Sequence, residues 1–383
     1  MMMRIAVNTR FLQSGELEGI GYFTQEVCER LPDLLPDARF LFCFDRPYDP
    51  RYTRHERVEG MRVFPPARDP ILWDMWFEYF LPRAARTWRA DVLLHLDGYC
   101  SLRTSIPQVM VIHDIAHVHY PAVIPKRVFR YYQKRVPAFL KKAERVITVS
   151  EYIKQDILRE YGLPVDKIGV AGNGVKAFFL PLSAEEKAGV RMRYSGGRPY
   201  FFYLGAVHPR KNVERLIQAY TRFRELGGAD HPLLLGGRLA WQTKRVRMAH
   251  RTSPYNGDIT FLGYRPEREI AELLGSSLAL VYPSLSEGFG VPLLEAMHAE
   301  VPILTSNRTS LPEVGGRAAY YVDPENVDAI AGGLMEIAVN AGLRERLVEA
   351  GRERRGAYSW DNTANTISDA VKQLYPSQRI LKR

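Results

Sequence analysis

The sequence predicts an α/β protein with two doubly wound domains, each built around a parallel sheet that helices cover. Short β-branched or aromatic runs alternate with helix-compatible stretches along most of the chain, which is the pattern of parallel strands joined by crossover helices. The length of 383 residues exceeds one ordinary hydrophobic core and suits two α/β domains. Hydrophobic residues make up 46% and charged residues 25% of the chain, so its composition is that of a folded globular protein and not of a disordered one.

The first domain is predicted over residues 1–178. Its clearest strands, each followed by a polar or glycine-containing turn, are residues 5–8, 40–44, 92–95, 109–113 and 146–149. A connection with proline, glycine and serine follows over residues 176–198, and Ser183 and Glu186 are placed to cap its one short helix reciprocally. We therefore expect the domain boundary at this connection.

The second domain is predicted over residues 179–358. Its strands are expected at residues 200–204, 232–235, 259–262, 279–282, 302–305 and 320–322. In a doubly wound sheet, ligands bind beyond the carboxyl ends of the strands. The residues that follow these strands are therefore the first candidates for a functional site.

The compartment expected for this chain is the cytoplasm. The three cysteines, Cys28, Cys43 and Cys100, are odd in number and form no CxxC pair, so neither a disulfide framework nor a zinc site is predicted. The amino terminus alternates like a buried strand and lacks the long apolar run of a secretory signal. No segment reaches the roughly 18–20 apolar residues that cross a bilayer.

The net charge of +10 favours an anionic partner, and nucleic acid, an anionic membrane surface and a phosphorylated small molecule all qualify. The excess is concentrated in residues 126–145, where basic residues are interleaved with aromatic and aliphatic ones at helical spacing. This segment predicts a basic amphipathic helix, which is commonly a solvated surface helix and could also lie on anionic lipid. Peripheral membrane contact through residues 126–145 is therefore one expectation.

The most informative motif is ALVYPSLSEGFGVPLLEAMHAE, residues 279–300. A buried strand leads into a loop with Gly288 and Gly290, which let backbone amides approach a ligand, and a helix follows whose amino end adds partial positive charge. These features predict a diphosphate site. Glu287 and Glu295 frame the loop, and carboxylates beside a phosphate site are suited to accept hydrogen bonds from sugar and ribose hydroxyls.

With Glu287 and Glu295 separated by seven residues within SEGFGxPxxEAM, the segment resembles the signature of family 4 retaining glycosyltransferases. That family has the GT-B fold, in which two Rossmann-like domains face an inter-domain cleft. The resemblance implies that Glu287 contacts the transferred sugar and Glu295 the ribose of the donor. It also implies that Gly288, Phe289 and Gly290 bind the donor, with backbone contacts from Phe289 and Gly290 to its phosphates.

A second motif, YLGAVHPRKN at residues 203–212, follows a strand and opens a helix. Arg210 and Lys211 can there stabilise the negative charge that develops on a departing diphosphate. Because cations are disfavoured at helix amino ends, their position favours a functional role. The motif resembles the donor-phosphate element of the family, although many members carry an arginine where this chain has Ala206.

A third motif, VMVIHDIAHVHYP at residues 109–121, ends a strand of the first domain at His113. A single histidine at a strand end is more often structural. Here the motif resembles the acceptor-side strand end of the family, which implies that His113 faces the transferred sugar as a catalytic residue. His117 and His119 alternate with it but have no acidic or cysteine partners in register, so no metal site is predicted.

Further donor-binding residues are implied by weaker matches. Gly19 and Gly21 follow the first strand and resemble the amino-terminal glycine loop of the family, which lies over donor phosphates and acceptor. Arg238 stands where members often have lysine, and Tyr264 ends the strand beside which the base usually lies. Residues 359–376 resemble the last helix of the fold, which crosses back to the first domain.

The function implied by the resemblance is retaining transfer of a hexose, with mannose favoured, from a GDP- or UDP-linked sugar to a hydroxyl of a glycan or lipid-linked acceptor. The HPRKN form and the later SLPE at residues 310–313 resemble members that assemble bacterial surface polysaccharides. The Asp-x-Asp motif of metal-dependent transferases is absent. We therefore expect no metal and no cofactor, with cationic side chains and a helix terminus in their place.

Other functions remain as alternatives. A non-catalytic sugar-nucleotide-binding protein is compatible with the same motifs. A nicotinamide-dependent oxidoreductase shares the architecture, but Gly19 and Gly21 lack the third glycine of its fingerprint. A glycoside hydrolase uses two carboxylates but needs no cationic pair or phosphate loop. A nucleic-acid-binding protein explains the charge, but no module of that class is recognisable, so we expect no nucleic-acid partner.

Overall fold

The computed structural model describes residues 2–13, 15, 17, 19–240 and 242–375, and the chain divides into two compact units. Unit 1 contains the residues up to Asn173 together with those from Ser359 onward. Unit 2 is Gly174–Tyr358. The domain limits expected from the sequence, 1–178 and 179–358, differ from this division by a few residues and stay a prediction.

Unit 1 is built on a seven-stranded sheet in the order β3-β2-β1-β4-β5-β6-β7, and all its neighbouring strands are parallel. The strands are β1 Met3–Asn8, β2 Ala38–Phe44, β3 Val58–Arg62, β4 Val92–His95, β5 Gln108–Ile112, β6 Arg145–Thr148 and β7 Ile168–Val170. Strands β3 and β7 were not predicted from the sequence. Strand β3 is a largely exposed edge strand and β7 has only three residues, so neither carries the apolar run that marks a buried strand.

Helices cover this sheet. They are α1 Gly19–Leu34, α2 Pro70–Met75, α3 Leu81–Thr87, α4 Ala116–His119, α5 Lys126–Lys142 and α6 Glu151–Tyr161, with a π-helical segment Trp76–Phe80 between α2 and α3. The predicted basic helix is α5. Helix α6 begins after Ser150, whose Oγ accepts a hydrogen bond from the Ile153 amide at 3.2 Å and so caps the first turn.

Unit 2 is built on a six-stranded parallel sheet in the order β10-β9-β8-β11-β12-β13. The strands are β8 Phe201–Leu204, β9 Leu233–Gly236, β10 Ile259–Gly263, β11 Ala279–Tyr282, β12 Ile303–Ser306 and β13 Ala319–Val322. All six coincide with predicted strands to within one residue at either end. Their residues are mostly buried, so each reads in the sequence as a short continuous apolar run.

The helices of unit 2 are α7 Ala184–Ser195, α8 Val213–Glu225, α9 Lys244–Thr252, α10 Glu267–Gly275, α11 Val291–His298, α12 Leu311–Gly315, α13 Val327–Val339 and α14 Ala341–Arg355. The predicted cap of α7 is confirmed. Ser183 Oγ accepts from the Glu186 amide at 3.2 Å, and a Glu186 carboxylate oxygen accepts from the Ser183 amide at 2.7 Å. Such a cap stabilises a helix by about 1 kcal/mol.

The last helix, α15 Trp360–Leu374, belongs to unit 1 and packs on α1. The Trp360 ring makes edge contacts with Tyr22 and Phe23 at centroid distances of 6.0 and 5.8 Å. Thr363 Oγ1 donates to the Ala171 carbonyl at 3.2 Å. The prediction that the last helix returns to the first domain is confirmed; residue 376 of the predicted range lies outside the described residues.

Each sheet has one point where the strand order reverses, between β1 and β4 in unit 1 and between β8 and β11 in unit 2. Ligands of open α/β sheets bind beside such points, at the carboxyl ends of the strands. The topology therefore predicts that a ligand of either unit binds at the carboxyl edge of its sheet, beside the point of reversal. None of the helices in the described part of the chain is long and apolar enough to cross a membrane.

Candidate active site

The carboxyl end of β11 carries Glu287 in a buried polar cluster. Glu287 Oε1 lies 2.6 Å from Lys211 Nζ, 2.8 Å from the Tyr282 hydroxyl and 2.5 Å from Ser284 Oγ. Lys211 also donates to the Tyr282 hydroxyl. Glu287 is 8% exposed, and such a buried carboxylate is stable only when donors and a compensating cation surround it.

The segment that presents Lys211 is held by its neighbours. Pro209–Lys211 is a 3₁₀ turn, and Asn212 ends it in the left-handed region with φ 60°, a conformation that asparagine tolerates better than most residues. Asn212 Nδ2 donates to the carbonyls of Pro283 and Pro324 at 3.0 and 2.7 Å. These bonds fix the turn against the loop that carries Glu287.

The charges of Arg210 and Lys211 lower the pKa values of both Glu287 and His208. Burial raises the pKa of Glu287, but the charges of Lys211 and Arg210 and the hydrogen bonds from Lys211 and Ser284 outweigh it, so the pKa lies below its ordinary value. Burial, followed by the charges of Arg210 and Lys211, lowers the pKa of His208 to about 4. At neutral pH the Glu287 carboxylate is therefore ionised and the His208 ring is neutral.

The loop after Glu287 leads into α11 as the motif predicts. Gly290 has φ 102°, and a Cβ there would lie 2.6 Å from Leu311 Cδ2, so the position requires glycine. Ser310 Oγ lies 3.0 and 2.9 Å from the carbonyls of Glu287 and Phe289. The Phe289 ring is buried and makes an edge contact with Tyr358 at 5.2 Å. The loop is therefore held in one shape at the amino end of α11.

Glu295 lies on α11, one turn before its end. Burial raises its pKa to about 7, and the charge of Lys176 lowers it only in part. The two glutamates of the motif consequently differ, because Glu287 has a cation in direct contact and Glu295 has no comparable ion pair among the described residues. Near neutral pH the Glu295 carboxyl is able to accept or donate hydrogen bonds.

The remaining predicted donor residues of unit 2 follow neighbouring strands at the same sheet edge. Gly237 has φ 135°, and a Cβ there would lie 2.0 Å from the Gly205 carbonyl oxygen, so the chain ends of β8 and β9 meet backbone to backbone. Exposed Arg238 follows, and its carbonyl accepts from the Val207 amide at 2.9 Å. Tyr264 follows β10 and is 52% exposed, which leaves its ring accessible to a planar ligand.

The predicted residues of unit 1 lie at the carboxyl edge of its own sheet. His113 directly follows β5, which ends one residue earlier than the sequence indicates. Its Nε2 lies 2.9 Å from the Leu96 carbonyl and its ring makes an edge contact with Phe23 at 4.7 Å. Because the carbonyl only accepts, Nε2 carries the hydrogen. Burial lowers the pKa of His113, so its ring is neutral at pH 7.

Gly19 and Gly21 require a correction of local structure. They do not form an open glycine loop but lie in the first turn of α1. A Cβ at Gly21 would lie 2.7 Å from the Phe11 carbonyl oxygen, whereas one at Gly19 would meet nothing within 4 Å. Gly21 is thus explained by close packing of α1 on the chain after β1, and Gly19 is the more open of the two positions.

A buried ion pair at this edge of unit 1 was not predicted from the sequence. Arg10 Nε lies 2.5 Å from Asp97 Oδ2, and Asn8 Nδ2 donates to Asp97 Oδ1 at 2.9 Å. The Arg10 guanidinium also lies over the Tyr99 ring at 4.3 Å. The available signal was positional, since Arg10 and Asp97 each come two residues after a predicted strand.

The residues around Glu287 were also missed. Tyr282 and Ser284 lie in the same motif as Glu287, five and three residues before it, whereas Thr309 and Ser310 contact it because the loops after β11 and β12 are neighbours in the sheet. A linear motif gives no such neighbour relation. Polar residues at the ends of adjacent strands were the only signal in the sequence.

The three histidines of residues 109–121 have separate partners. His117 Nε2 lies 3.2 Å from the Tyr161 hydroxyl, and His119 Nε2 lies 2.7 Å from Asp156 Oδ2. In the described part of the chain, His119, Asp156 and Glu160 form a group whose potential metal-ligand atoms lie within 4.8 Å of one another. Arg159 pairs with Asp156 and so already supplies this group with positive charge. Metal independence of the chain stays a prediction.

Each of the two units matches a known protein-family model. Residues 17–177 match the family model described as Glycosyltransferase Family 4, and residues 191–354 match the one described as Glycosyl transferases group 1. Over 267 residues the chain is 33% identical to O-antigen chain mannosyltransferase B of Escherichia coli, covering 70% of each chain. Over 233 residues it is 29% identical to O-antigen chain mannosyltransferase RfbU of Salmonella typhimurium, covering 59% of this chain and 61% of that protein.

Among solved structures, sucrose-phosphate synthase from Thermosynechococcus elongatus resembles the chain with a TM-score of 0.76 at 18% identity, covering 97% of this chain and 99% of that one. Two parallel doubly wound sheets with this likeness show that the chain has the GT-B fold. The chain itself belongs to glycosyltransferase family 4. The resemblance noted in the sequence is thereby confirmed at the level of family, fold and enzyme class.

Proposed function

We propose that the chain transfers mannose, with retention of configuration, from GDP-mannose to a hydroxyl of a glycan or lipid-linked acceptor in the synthesis of a bacterial surface polysaccharide. The proposed chemistry rests on the buried cluster of Glu287 and Lys211, which lies beside the loop with Gly288 and Gly290 at the carboxyl edge of the unit 2 sheet. The choice of mannose rests on two O-antigen mannosyltransferases among the similar proteins. A UDP-linked hexose is the alternative donor.

In the proposed complex the donor diphosphate lies at the amino end of α11. Backbone amides of the loop at Gly288, Phe289 and Gly290 and the partial positive charge of the helix end would hold it. Arg210 and Lys211 would add full positive charge where negative charge grows as the nucleotide departs. Glu287 would accept hydrogen bonds from hydroxyls of the transferred sugar.

The remaining donor contacts follow from position along the same sheet edge. Glu295 would accept a hydrogen bond from a ribose hydroxyl, Arg238 would add positive charge to the phosphate site, and the exposed ring of Tyr264 would lie against the base. In unit 1, His113 would hydrogen-bond the transferred sugar as a neutral imidazole. Its Nε2–H already donates to Leu96, so Nδ1 is the nitrogen we assign to the ligand.

The proposed reaction is a same-face displacement. The bond between the anomeric carbon and the departing phosphate oxygen breaks, and a bond from the acceptor oxygen to that carbon forms on the same face. The acceptor proton passes to an oxygen of the departing phosphate, so no enzyme nucleophile is required. The cations at Arg210 and Lys211 lower the barrier by stabilising the phosphate charge, the role that a metal ion has in other transferases.

Donor choice and metal independence are tested together by thermal unfolding with a panel of GDP, UDP, their sugars and NAD, with and without EDTA. A ligand that binds only the folded state at a hundredfold excess over its dissociation constant stabilises it by about 2.7 kcal/mol. We expect GDP and GDP-mannose to raise the melting temperature whether or not EDTA is present. Stabilisation by NAD alone would replace the proposal with the oxidoreductase alternative.

Catalysis itself is tested by single-turnover transfer of radiolabelled mannose to an acceptor glycan. Glu287→Gln keeps the size of the side chain but removes its charge, and we expect it to abolish transfer while GDP still binds. Arg317→Ala, an exposed cation of unit 2 outside the proposed site, is the matched control. Full transfer by Glu287→Gln would overturn the proposed mechanism, and nucleotide binding without transfer by the unaltered chain would favour a binding protein.

We also propose that α5 brings the enzyme to an anionic membrane where a lipid-linked acceptor resides. Its exposed cations are Lys126, Arg127, Arg130, Lys134 and Lys141, whereas Arg135 pairs with Asp74 at 2.7 Å. Exposed cations near a surface of anionic lipid contribute about 1 kcal/mol each. We expect flotation with anionic vesicles that Arg127→Glu/Arg130→Glu abolishes; equal flotation by the unaltered and altered chains would leave α5 as a solvated face.

A further inference from the structure

A cavity of about 570 Å³ lies at the opposite edge of the unit 2 sheet from the candidate donor residues. Its walls include Ser277 and Leu278, which precede β11, and Val301 and Pro302, which precede β12. Side chains of α7 and α14 complete it. Because strands in this sheet are parallel, the amino ends that line the cavity and the carboxyl ends that lead to Glu287 are separated by the length of the strands.

Charged side chains dominate the lining of this cavity. They are Lys187, Arg191, Arg344, Arg346 and Arg352 on the positive side and Glu300, Glu345 and Glu349 on the negative side. Arg352 lies 2.6 Å from Glu300 and 2.7 Å from Glu349, so this cation is already shared by two of the three acids. Within the described residues, the other four cations have no carboxylate at ion-pair distance, and Glu345 is the one acid left to balance them.

Two of these cations are crowded together. Lys187 and Arg191 are one turn apart on α7 and both are half-buried, and like charges at this spacing destabilise a helix. Burial and then the charge of Arg191 lower the pKa of Lys187, with Glu300 opposing the shift. The ammonium group of Lys187 is therefore in surroundings that lack sufficient negative charge.

The arginines are held in place without being neutralised. Arg191 Nε donates to the Ser276 carbonyl at 2.8 Å, and Arg344 Nη1 donates to the carbonyls of Ile337 and Ala338 at 2.6 and 3.0 Å. These bonds orient both guanidinium groups but supply no formal negative charge. Each bond uses a single nitrogen, so further N–H donors of the same planar groups are available to a ligand.

We propose that this cavity binds a phosphate group of a small phosphorylated ligand, with Lys187, Arg191 and Arg344 as its contacts. Guanidinium groups match phosphate oxygens in pairs, and a lysine adds a compact charge. The volume is within the range of small-molecule sites. The phosphate can be carried by a soluble metabolite or by a lipid headgroup. The site is independent of the donor site proposed above and lies at the other edge of the sheet.

Calorimetric titration of inorganic pyrophosphate into the full chain tests the proposal. We compare Lys187→Glu with Arg193→Glu, a matched charge reversal on the same helix at an exposed residue outside the cavity lining. The donor site proposed above, which includes Arg210, should also bind a diphosphate. Arg210→Ala is therefore titrated in parallel. Arg346→Glu, at an exposed position of the cavity, repeats the test if Lys187→Glu unfolds.

We expect pyrophosphate binding that Lys187→Glu weakens by about tenfold or more and Arg193→Glu does not, since a hydrogen bond to a charged group is worth roughly 1.5–3 kcal/mol. Flotation with vesicles containing phosphatidic acid identifies the source: dependence on Lys187 there assigns the phosphate to a lipid, and dependence in the titration alone assigns it to a soluble ligand. No effect of Lys187→Glu or Arg346→Glu in either assay would overturn the proposal. A failure of Arg210→Ala to reduce binding would count only against the donor site.

Discussion

Lys211 Nζ lies 2.6 Å from Glu287 Oε1, although the two residues are 76 positions apart in the sequence. The two side chains are only 15% and 10% exposed, so the pair is largely removed from water. A buried ion pair of this kind is stable when hydrogen bonds complete it, and Tyr282 and Ser284 supply them. One contact therefore fixes both the carboxylate proposed to bind the sugar and a cation proposed to bind the phosphate.

Breaking this pair from one side should destabilise unit 2. Lys211→Met leaves the Glu287 carboxylate buried without its cation, and we expect the free energy of unfolding to fall by about 3–5 kcal/mol. The double variant Lys211→Met/Glu287→Gln removes both charges and should recover most of that loss, while transfer stays abolished. Urea denaturation at neutral pH measures the free energy of unfolding of the unaltered chain, of Lys211→Met and of the double variant. A double variant no more stable than Lys211→Met would mean that the two charges are not coupled.

The stability of the chain should also depend on pH through Glu295. Burial raises the pKa of Glu295 from 4.5 to about 7, so in this window the folded chain binds a proton that the unfolded chain has released. The free energy of unfolding must then fall as pH rises from the lower value to the higher. Glu295→Gln cannot ionise, so relative to it the unaltered chain should lose up to about 3 kcal/mol across the window.

Urea denaturation in buffers on either side of that window gives this difference. Glu353→Gln, an exposed glutamate on α14, is the control and should leave the pH dependence of the unaltered chain in place. If Glu295 also accepts a ribose hydroxyl, affinity for the nucleotide should rise with pH through the same range and Glu295→Gln should lose that rise. Parallel pH profiles for Glu295→Gln and the unaltered chain would contradict the raised pKa.

The sequence predicts those features whose signal lies within one short segment of the chain. The six strands of unit 2 are short and mostly apolar, and most of their residues are buried, so local composition is sufficient to find them. Strand β3 was missed because an exposed edge strand has little apolar signal. The Glu287 loop was predicted because its glycines and the helix that follows are contiguous in the sequence. The Glu287–Lys211 and Arg10–Asp97 contacts depend on which strands become neighbours, information that no single segment contains.

Backbone geometry at Gly290 gives a test that is independent of charge. An alanine there would need a φ of 102° and would place its Cβ 2.6 Å from Leu311 Cδ2. We expect Gly290→Ala to destabilise the chain by on the order of 1–3 kcal/mol and to weaken nucleotide binding, because the amides of the loop would shift. Gly257→Ala, where a Cβ would meet nothing within 4 Å, should change neither; equal effects of the two substitutions on nucleotide binding would argue against a phosphate role for the loop.

The buried Arg10–Asp97 ion pair should stabilise unit 1 more than an exposed ion pair of the same length stabilises it. In the Arg10–Asp97 pair both side chains are almost inaccessible to water, at 6% and 2% exposed. In the Arg30–Asp361 pair the aspartate is 77% exposed. The N–O distances of the two pairs are nearly equal, at 2.5 and 2.6 Å. Asp97→Asn leaves the Arg10 guanidinium buried without a counter-charge and should cost about 3–5 kcal/mol of unfolding free energy. Asp361→Asn should cost less than about 1 kcal/mol, because the Arg30 guanidinium is partly open to water and keeps its ion pair with Glu26 at 2.6 Å. Urea denaturation of the two variants decides the matter, since similar losses would mean that burial is not what makes the first pair important.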